Sequence, residues 1–486
     1  MKTKSFFGTP ARMIPLLAIS LVFFTSCVSA GLKRLAADVP LSPSVAYVPP
    51  APHQPESTAV DDRKLAALDG RFLSLAQCIK IALEQNPQTR ESWQRARSAA
   101  AGVGQARSPY LPSVDVTAGA NRGAPVLLDS KQQPGTVDTF TAGFSVRYLL
   151  FDGGARSAGL TGAESELFAA NFQHNATLQD VALKVEEVYY QLLAAQELER
   201  VAEQTIRQIQ YHVDVARARY QNGLVARSDV LKSETEMADA ELLLVRARSQ
   251  VRVVHGRLAS AMGLVPSENF EVMELPGNPH QREMADIKHL MADASSRRPE
   301  LRAALARIGS TRSNIDAGKA RYWPRVTLNT DYGRRDRTFV PERDEWSLGI
   351  GIIWPLFDGF NREYTIHRAE SDLDRSVAEY EILLRGIELE VWTAYSRLIE
   401  AGQAIEAARV LVASAEENAR VTEGQYKNGT TSIIEVTDAQ TSRTTANVRL
   451  VQARLDWYTG LARLERAIGR TLAWEKAGDS NGENSH

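Results

Sequence analysis

The feature that most constrains the fold of this chain is an internal repeat. With a shift of 206 residues and no gap, "LFDGGARSAGLTGAES" (150–165) matches "LFDGFNREYTIHRAES" (356–371). The same shift brings "RYQNGLVARSDV" (219–230) onto "QYKNGTTSIIEV" (425–436). Self-similarity over such a distance indicates that one architecture is built twice along the chain.

The repeat also orders the segments. Pro112 and Pro324 precede the two hairpins, and upstream of them the shift becomes 212 residues. Each half therefore reads as helix, proline turn, variable hairpin, LFDG, long helix, Asn-Gly turn and return helix. The expected segments are an export signal (1–30), an extended tether (31–72), a first repeat (73–263) with a hairpin at 112–150, an inter-repeat equatorial segment (264–297), a second repeat (298–470) with a hairpin at 324–356, and a polar tail (471–486).

Two long helices are predicted by the spacing of apolar residues. From Leu178 to Tyr220, and again from Leu384 to Tyr426, apolar or small residues recur every three or four positions, and no proline interrupts either stretch. A sustained seven-residue repeat of this kind indicates a left-handed coiled coil. A helix from about Arg156 to Gln221 would measure ~100 Å, because each helical residue adds about 1.5 Å.

An Asn-Gly pair ends each long helix, with the glycines at Gly223 and Gly429. Glycine adopts the left-handed conformation that commonly terminates a helix, and asparagine tolerates it better than most residues do. A return helix is expected after each turn, at about 229–262 and 435–468, antiparallel to the long helix. The helices before the hairpins are expected to cover the length that the shorter return helices leave.

The hairpins show alternation with a period of two. Their second strands, "DTFTAGFSVRYLL" (138–150) and "EWSLGIGIIW" (345–354), alternate apolar with small or polar residues and carry aromatic residues near their ends. This pattern is typical of outer-membrane strands, although a half-buried hairpin of a soluble protein shows the same alternation. Four strands do not close a membrane barrel, whose smallest form has about eight. Several chains would have to share one barrel.

The N-terminus has the pattern of an export signal. Three basic residues within the first twelve flank the apolar run Met13–Phe24, which is too short to span a membrane stably. Two processing routes are open: acylation of Cys27 in the lipobox-like "FTSC", or cleavage after Ala30 in "VSA". An uncleaved anchor is the third reading. Either processing route takes the chain out of the cytoplasm.

Composition argues against several other classes of protein. With 57 Lys+Arg against 59 Asp+Glu, the net charge of −2 gives no electrostatic footprint for nucleic acid. The eight histidines are scattered without metal-ligand spacing, and the two cysteines form no disulfide framework. We recognise no Ser-His-Asp context and no phosphate loop. The sequence therefore predicts neither an enzyme nor a bound cofactor or metal.

The LFDG motif has two interpretations. A strand before it and a helix after it would suit a glycine-rich phosphate loop, but the second copy replaces the second glycine of the motif with Phe360. A joint between strand and helix explains both copies better. In that interpretation Gly153 and Gly359 allow the sharp turn, and Asp152 and Asp358 cap the helix that follows.

Taken in order, these motifs resemble the TolC-type outer-membrane efflux and secretion channels. The resemblance rests on the two-fold repeat, on "ARSPYLP" (106–112), on the doubled LFDG, and on the YxxG turns at 220–223 and 426–429, and it covers about 73–470. It implies a mainly α fold with β-hairpins, in which long antiparallel coiled-coil helices form a periplasmic tunnel. Four strands per chain would contribute to a shared 12-stranded β-barrel of a homotrimer in outer-membrane lipid.

The same resemblance implies a function as the exit duct of a tripartite efflux pump. Such a duct receives small molecules, including drugs and toxic compounds, from a periplasmic adaptor (membrane fusion) protein and an inner-membrane pump of the RND or ABC type. Type I protein secretion and metal-cation efflux are alternatives within the family. A periplasmic coiled-coil scaffold is the alternative from another class.

The family's functional residues lie at the periplasmic tip of the second repeat. Glu435 and Asp438 match two acidic rings that narrow the entrance, and Tyr426 matches a latch residue whose acidic partner is Asp229. Thr431 stands where a basic residue is common in the family. How the closed state is held in this chain is therefore not predicted. Read without the resemblance, Glu435 is also a helix N-terminal carboxylate favoured by the dipole, and Asp438 a residue on a solvated face.

Overall fold

The computed structural model of the chain describes residues 42–45, 72–124, 136–266, 270–273 and 286–470. The helices are α1 (Leu75–Gln85), α2 (Pro87–Arg107), α3 (Ala155–Gln221), α4 (Arg227–Ala261), α5 (Ile287–Arg297), α6 (Pro299–Ala320), α7 (Asn361–Lys427) and α8 (Ile433–Ala467). The strands are β1 (Phe72–Leu73), β2 (Ser113–Gly123), β3 (Val137–Phe151), β4 (Glu271–Val272), β5 (Arg325–Asp336) and β6 (Asp344–Ile353).

The predicted long helices are confirmed. α3 and α7 have 67 residues each, and α4 and α8 have 35 each. The buried residues of α3 follow the predicted three- and four-residue spacing, with Val181, Val185, Val188 and Leu192 at most 3% exposed. The apolar stripe, rather than the modest intrinsic helix propensity of valine, stabilises so long a helix. No described helix has an apolar stretch long enough to cross a bilayer.

The chain folds as two compact units. The first contains the described parts of Gln94–Asn171 and Arg302–Tyr380. The second contains those of Ser42–Trp93, Phe172–Leu301 and Glu381–His486.

The first unit is built around a four-stranded antiparallel sheet in the order β2-β3-β5-β6. The two hairpins join through β3 and β5, where Phe144 pairs with Tyr332 and their rings lie 5.5 Å apart. Gly143 faces Gly333 across the same pair of strands, and a Cβ on Gly143 would lie 2.6 Å from the Tyr332 carbonyl oxygen. β2 and β6 are therefore the edges of the sheet within the described residues. β6 is exposed on both faces, and Trp346 on its apolar face is 73% exposed.

The second unit has its main core where α1, α3 and α4 meet. Ile79, Tyr189, Leu258 and Met262 are almost completely buried there. The Tyr189 hydroxyl donates a 2.6 Å hydrogen bond to the carbonyl of Met273, next to a short parallel pair of β1 and β4. This strand pair was not predicted from the sequence.

Cys78 also lies in that core. Its side chain is fully buried, and burial raises the pKa of the thiol to about 12. The thiol is therefore kept in its unreactive protonated form.

A side chain from another helix boundary caps the C-terminal end of each return helix, but the capping group differs between the two repeats. The Asn86 side-chain amide donates a 2.9 Å hydrogen bond to the Ala261 carbonyl at the end of α4. In the second repeat the Arg298 guanidinium donates to the Ala467 carbonyl over 3.3 Å, and it pairs with Glu300 at 3.1 Å. Each contact satisfies a carbonyl that the helix itself leaves without a partner.

The first LFDG joint is a capped turn. Gly153 and Gly154 have φ values of 68° and 96°, in the left-handed region. The Asp152 carboxylate accepts hydrogen bonds from the backbone N–H groups of Gly154 (3.2 Å) and Arg156 (2.8 Å). The Arg156 guanidinium donates back to the Leu149 carbonyl over 2.7 Å, so that it ties the end of β3 to the start of α3.

The second joint keeps the arginine but differs in the contacts of its aspartate. The Arg362 guanidinium donates to the Pro355 carbonyl over 2.8 Å and lies 3.3 Å from the Asp358 carboxylate. One oxygen of this carboxylate is buried and accepts no hydrogen bond from any residue that the structure describes. Gly359 has φ 69° and Phe360 has φ 65°, a conformation that is strained for phenylalanine. The arginine of each joint was not predicted, although the repeat places it at equivalent positions in "LFDGGAR" and "LFDGFNR".

α3 and α8 enclose a buried carboxyl group. Tyr190 of α3 stacks on Tyr458 of α8 with ring centroids 5.1 Å apart, and Glu186 is 6% exposed beside them. Burial, followed by the negative charges of Glu465 and Glu187, raises the pKa of Glu186 to about 7. The interface therefore takes the carboxyl group most easily in its neutral form.

We expect Gly153→Ala to destabilise the protein more than Gly359→Ala does. Both substitutions place a Cβ at positive φ, which costs on the order of 1 kcal/mol. At Gly153 the new Cβ would also lie 2.5 Å from the Trp323 Cβ and 2.6 Å from the Ala320 carbonyl oxygen, whereas nothing lies within 4 Å at Gly359. Chemical denaturation in detergent measures the difference. Equal losses of unfolding free energy in the two variants would contradict the steric argument.

The free energy of unfolding should depend on pH through the ionisation of Glu186. The pKa of this carboxyl is about 7 in the folded chain against an ordinary value of 4.5, so raising the pH across that interval weakens the fold as the group ionises. Ionisation of Glu186 should lower the free energy of unfolding by on the order of 3 kcal/mol at pH 8. We expect Glu186→Gln to abolish this loss at pH 8 and to change the free energy of unfolding little at pH 4. Melting curves at both pH values test this. Glu197→Gln, a surface carboxylate on the same helix, is the control.

Candidate functional site

The two Asn-Gly turns have the same backbone. Gly223 and Gly429 have φ values of 71° and 76°. The Leu224 N–H donates to the Arg219 carbonyl over 2.9 Å, and the Thr430 N–H donates to the Gln425 carbonyl over 3.0 Å. These are the hydrogen bonds of a Schellman motif, which closes the end of a helix and turns the chain back.

An apolar cluster holds the second turn against the first repeat. It consists of Val215 from α3, Tyr426 from α7, and Ile433 and Val436 from α8, and we call it the tip cluster. Tyr426, Ile433 and Val436 are at most 4% exposed. Burial of these side chains contributes most of the local stability, at about 1.5 to 3 kcal/mol for each large apolar side chain.

Arg219 secures Tyr426 within this cluster. The guanidinium lies 4.8 Å from the centre of the Tyr426 ring and donates a hydrogen bond to the Tyr426 carbonyl. A cation over an aromatic ring that is shielded from water contributes about 1 to 2 kcal/mol. Arg219 is not predicted from the repeat, because the equivalent residue of the second repeat is Gln425.

The Tyr426 hydroxyl itself is buried and has no hydrogen-bond partner among the described residues. Burial raises the pKa of this hydroxyl, the charge of Asp229 raises it further, and the charge of Arg219 lowers it. The structure thus brings Tyr426 and Asp229 into the same region without a hydrogen bond between the two side chains. The pairing of Tyr426 with Asp229 as a latch stays a prediction.

Glu435 and Asp438 are both exposed in the first turns of α8. The Ser432 hydroxyl caps this helix by accepting a 3.4 Å hydrogen bond from the Glu435 N–H. A cation lies near Asp438: the pKa of Lys232 is raised first by its hydrogen bond to Glu236 and also by the charge of Asp438. Within a single chain the two carboxylates are therefore accessible to solvent, and Asp438 interacts electrostatically with Lys232.

Contacts between the repeats continue along the helices from the tip. The Thr205 and Thr444 hydroxyl oxygens lie 3.2 Å apart, and the Gln440 amide donates to Gln208 over 2.6 Å. We call the contacts of α3 with α7 and α8 the within-chain seam. A cavity of about 290 Å³ lies beside it, lined by α3, α4 and α8.

The remaining predicted site residues lie elsewhere. The joint residues Asp152, Gly153, Asp358 and Gly359 belong to the first unit, in the turns described above. The lipidation candidate Cys27 lies outside the described residues.

Comparison with known proteins identifies the family. The model of the outer membrane efflux protein family matches residues 78–264 and 290–470. The CyaE protein of Bordetella pertussis is 28% identical over 384 residues, which are 78% of this chain and 80% of that relative. The outer membrane protein TolC of Vibrio cholerae is 26% identical, with coverage of 84% and 93%.

The fold agrees with these matches. The solved structure of the outer-membrane channel OprN superposes with a TM-score of 0.74 at 21% identity, and the alignment covers 88% of this chain and all of that one. The predicted fold class and the resemblance to TolC-type channels are confirmed. An outer-membrane location and a role in transport follow from the family, whose members are channels rather than enzymes. The chain belongs to the outer membrane efflux protein family.

Proposed function

We propose that the chain forms a homotrimeric exit duct of a tripartite efflux pump. The duct passes small molecules, such as drugs and toxic compounds, outward from an inner-membrane pump of the RND or ABC type and a periplasmic adaptor protein. The observation that carries the proposal is the four-stranded sheet with two free edges, attached through LFDG joints to paired helices of 67 residues.

The free edges support sharing of the sheet between copies. Unpaired backbone N–H and C=O groups at a sheet edge are costly wherever water is scarce. Pairing β6 of one copy with β2 of the next would satisfy both edges, and three copies of four strands make a closed ring of twelve. Acylation of Cys27, if it occurs, would add a lipid anchor to the same membrane.

The exposed face of β6 supports contact with lipid. Leu348, Ile350 and Ile352 are each about two-thirds exposed, and Trp346 and Trp354 at the two ends are 73% and 58% exposed. Tryptophan at both limits of an apolar band is typical of the interfacial girdles of outer-membrane barrels. The Trp354 indole N–H donates a 3.0 Å hydrogen bond to the Tyr322 carbonyl, which fixes the ring at the periplasmic limit of the proposed band.

The exposed carboxylates at the start of α8 support a cation-attracting entrance. In a three-fold assembly Glu435 and Asp438 would each occur three times around the opening. Rings of carboxylates concentrate cations in a constriction. Lys232 beside Asp438 would moderate that field.

Loss of the protein in its native cell tests the proposed duct. We expect a deletion strain to become several-fold more susceptible to hydrophobic drugs, and the full chain to restore resistance. The protein should fractionate with the outer membrane as a heat-modifiable trimer. Recovery as a soluble periplasmic protein would favour the coiled-coil scaffold instead. An unchanged drug susceptibility together with lost export of a polypeptide or of metal cations would identify one of the other exported classes.

The charge at position 438 should control ion selectivity. We expect Asp438→Ala to weaken the cation selectivity or the cation block of currents through planar bilayers, because it removes one ring of charge. Lys232→Ala should strengthen both, because it removes the neighbouring cation. Asp456→Ala, a carboxylate further along the same helix, is the control. A current–voltage response unchanged by Asp438→Ala would exclude this residue from the entrance.

A further inference from the structure

His174 of α3 is a buried polar residue that lies outside both the tip and the joints. Its side chain is fully buried, and each of its ring nitrogens has a partner. Nδ1 lies 2.8 Å from the Ser92 hydroxyl oxygen of α2, and Nε2 lies 3.1 Å from the Val45 carbonyl oxygen. Val45 belongs to the predicted tether (31–72), so three separate parts of the chain meet at this imidazole. Burial of a polar ring is costly unless hydrogen bonds satisfy it.

The internal repeat indicates that the helices do not need this pair of side chains for their own packing. The equivalent of His174 in the second repeat is Tyr380, and the equivalent of Ser92 is Ala304. α6 and α7, which carry these two residues, form their helices with a phenol and a methyl group at these positions. The first repeat has Val45 of the tether beside the pair. The histidine and the serine therefore accompany the tether rather than the helical architecture.

The Val45 carbonyl fixes which nitrogen of His174 carries a proton. A carbonyl oxygen only accepts, so Nε2 is protonated and donates to it. Burial lowers the pKa of His174, and the hydrogen bond to Val45 offsets only part of this effect, so the neutral ring is favoured. Nδ1 of that ring is an acceptor, and the Ser92 hydroxyl donates to it. The second acceptor near this hydroxyl, the Thr89 carbonyl at 3.0 Å, already has a backbone donor within α2.

The part of the tether that meets His174 has a structure of its own. Residues 42–45 form a turn in which the Val45 N–H donates to the Ser42 carbonyl over 3.2 Å. The Ser42 and Ser44 hydroxyl oxygens lie 3.0 Å apart. Pro43 occupies the second position of the turn, where its fixed φ favours this conformation. The Val45 side chain is 46% exposed, so the main chain of this residue, rather than its side chain, makes the polar contact with the body.

We propose that His174 and Ser92 form the docking site for the tether of the same chain, with the turn at 42–45 as its occupant. The tether is thereby fixed to α2 and α3 before it reaches β1. Docking takes place within a single chain and does not depend on the proposed trimer.

The docking site determines where the N-terminal segment is attached under either processing route. From Cys27 to Val45 the chain reaches at most about 65 Å, because an extended residue adds about 3.3 to 3.6 Å. If Cys27 is acylated, a force from that lipid anchor acts on α2 and α3 through His174, rather than on the pair of β1 and β4. If cleavage follows Ala30, the same site holds the new N-terminus against the body.

Deletion of the turn tests whether the tether covers His174. Diethyl pyrocarbonate modifies neutral imidazoles that solvent reaches, and mass spectrometry locates the modified histidines. In the full chain we expect His174 to be unreactive and His367, whose side chain is 73% exposed, to react. Deletion of residues 42–45 should raise the reactivity of His174 about tenfold, because a covered group reacts only during local opening. The reactivity of His367 should not change.

A second deletion of equal length, of residues 56–59, is the matched control. It shortens the tether without removing the turn, so His174 should stay unreactive. A His174 that remains unreactive after deletion of 42–45 would overturn the docking site. Equal reactivity of His174 in the two deletion variants would overturn the choice of the turn as the occupant.

The mobility of the tether tests the histidine itself. Because the Val45 side chain is exposed, Val45→Cys can carry a nitroxide label whose mobility is read by electron paramagnetic resonance. The native Cys78 thiol is buried, and a labelled chain without the Val45→Cys substitution accounts for any label on Cys27. We expect an immobilised label, and a several-fold shorter rotational correlation time when His174→Ala is added. An unchanged spectrum in that variant would overturn the role of the histidine.

His255→Ala is the control for the loss of a buried histidine contact. The His255 Nε2 lies 2.8 Å from the Phe270 carbonyl oxygen in the same unit, so this variant removes a contact of the same kind. We expect it to leave the label at position 45 immobilised. The deletion of 42–45 leaves α2 and α3 intact, so it decides the question even if His174→Ala does not fold.

Two substitutions at Ser92 separate its positioning role from simple packing. Ser92→Ala removes the hydroxyl that holds the His174 tautomer, and the label at position 45 should become several-fold more mobile. Ser92→Thr keeps a hydroxyl and should restore the immobilised spectrum. Equal mobility of the label in the two variants would overturn the role of Ser92.

Discussion

The free backbone edges of the four-stranded sheet are the constraint on which the rest of the structure depends. Within the described residues β2 and β6 each present a row of unpaired N–H and C=O groups, and β6 exposes an apolar face. A strand of this kind is stable only when another strand covers its edge and a nonaqueous phase or another surface covers its face. The described part of one chain supplies neither. The internal repeat and the paired long helices therefore make sense as parts of an assembly of several copies.

The elements that the sequence predicts well are those with long periodic patterns. The ends of α3, α4 and α8 fall within two residues of the expected bounds, and α7 ends one residue after the predicted pattern, since the apolar spacing and the Asn-Gly turns mark these ends clearly. The hairpins are equally clear, because each strand spans ten or more residues. The parallel pair of β1 and β4 is missed because two residues per strand contain no period.

The candidate site is predicted less completely than the fold. The resemblance directs attention to Tyr426, Glu435 and Asp438, but it offers no reason to select Arg219, the cation that lies over the tyrosine. Sequence comparison between the repeats emphasises what both halves share. The tip is defined by the positions at which the repeats differ. Gln425 is the repeat equivalent of Arg219, and Asp438 is the repeat equivalent of Lys232. Positions that differ between two copies of one backbone are where the halves of this chain have taken separate roles.

The joining of β3 to β5 has a consequence for how the protein is made. Phe144 and Tyr332 are neighbours in the sheet but lie far apart along the chain, with α3 and α4 between them. Contacts of such long range form slowly, because the intervening chain must first be brought together. During synthesis and export the first hairpin is complete long before its partner strand exists, and both of its edges are then free to pair wrongly. A cell that makes this channel must hold the early half of the chain apart from other chains until the second hairpin arrives.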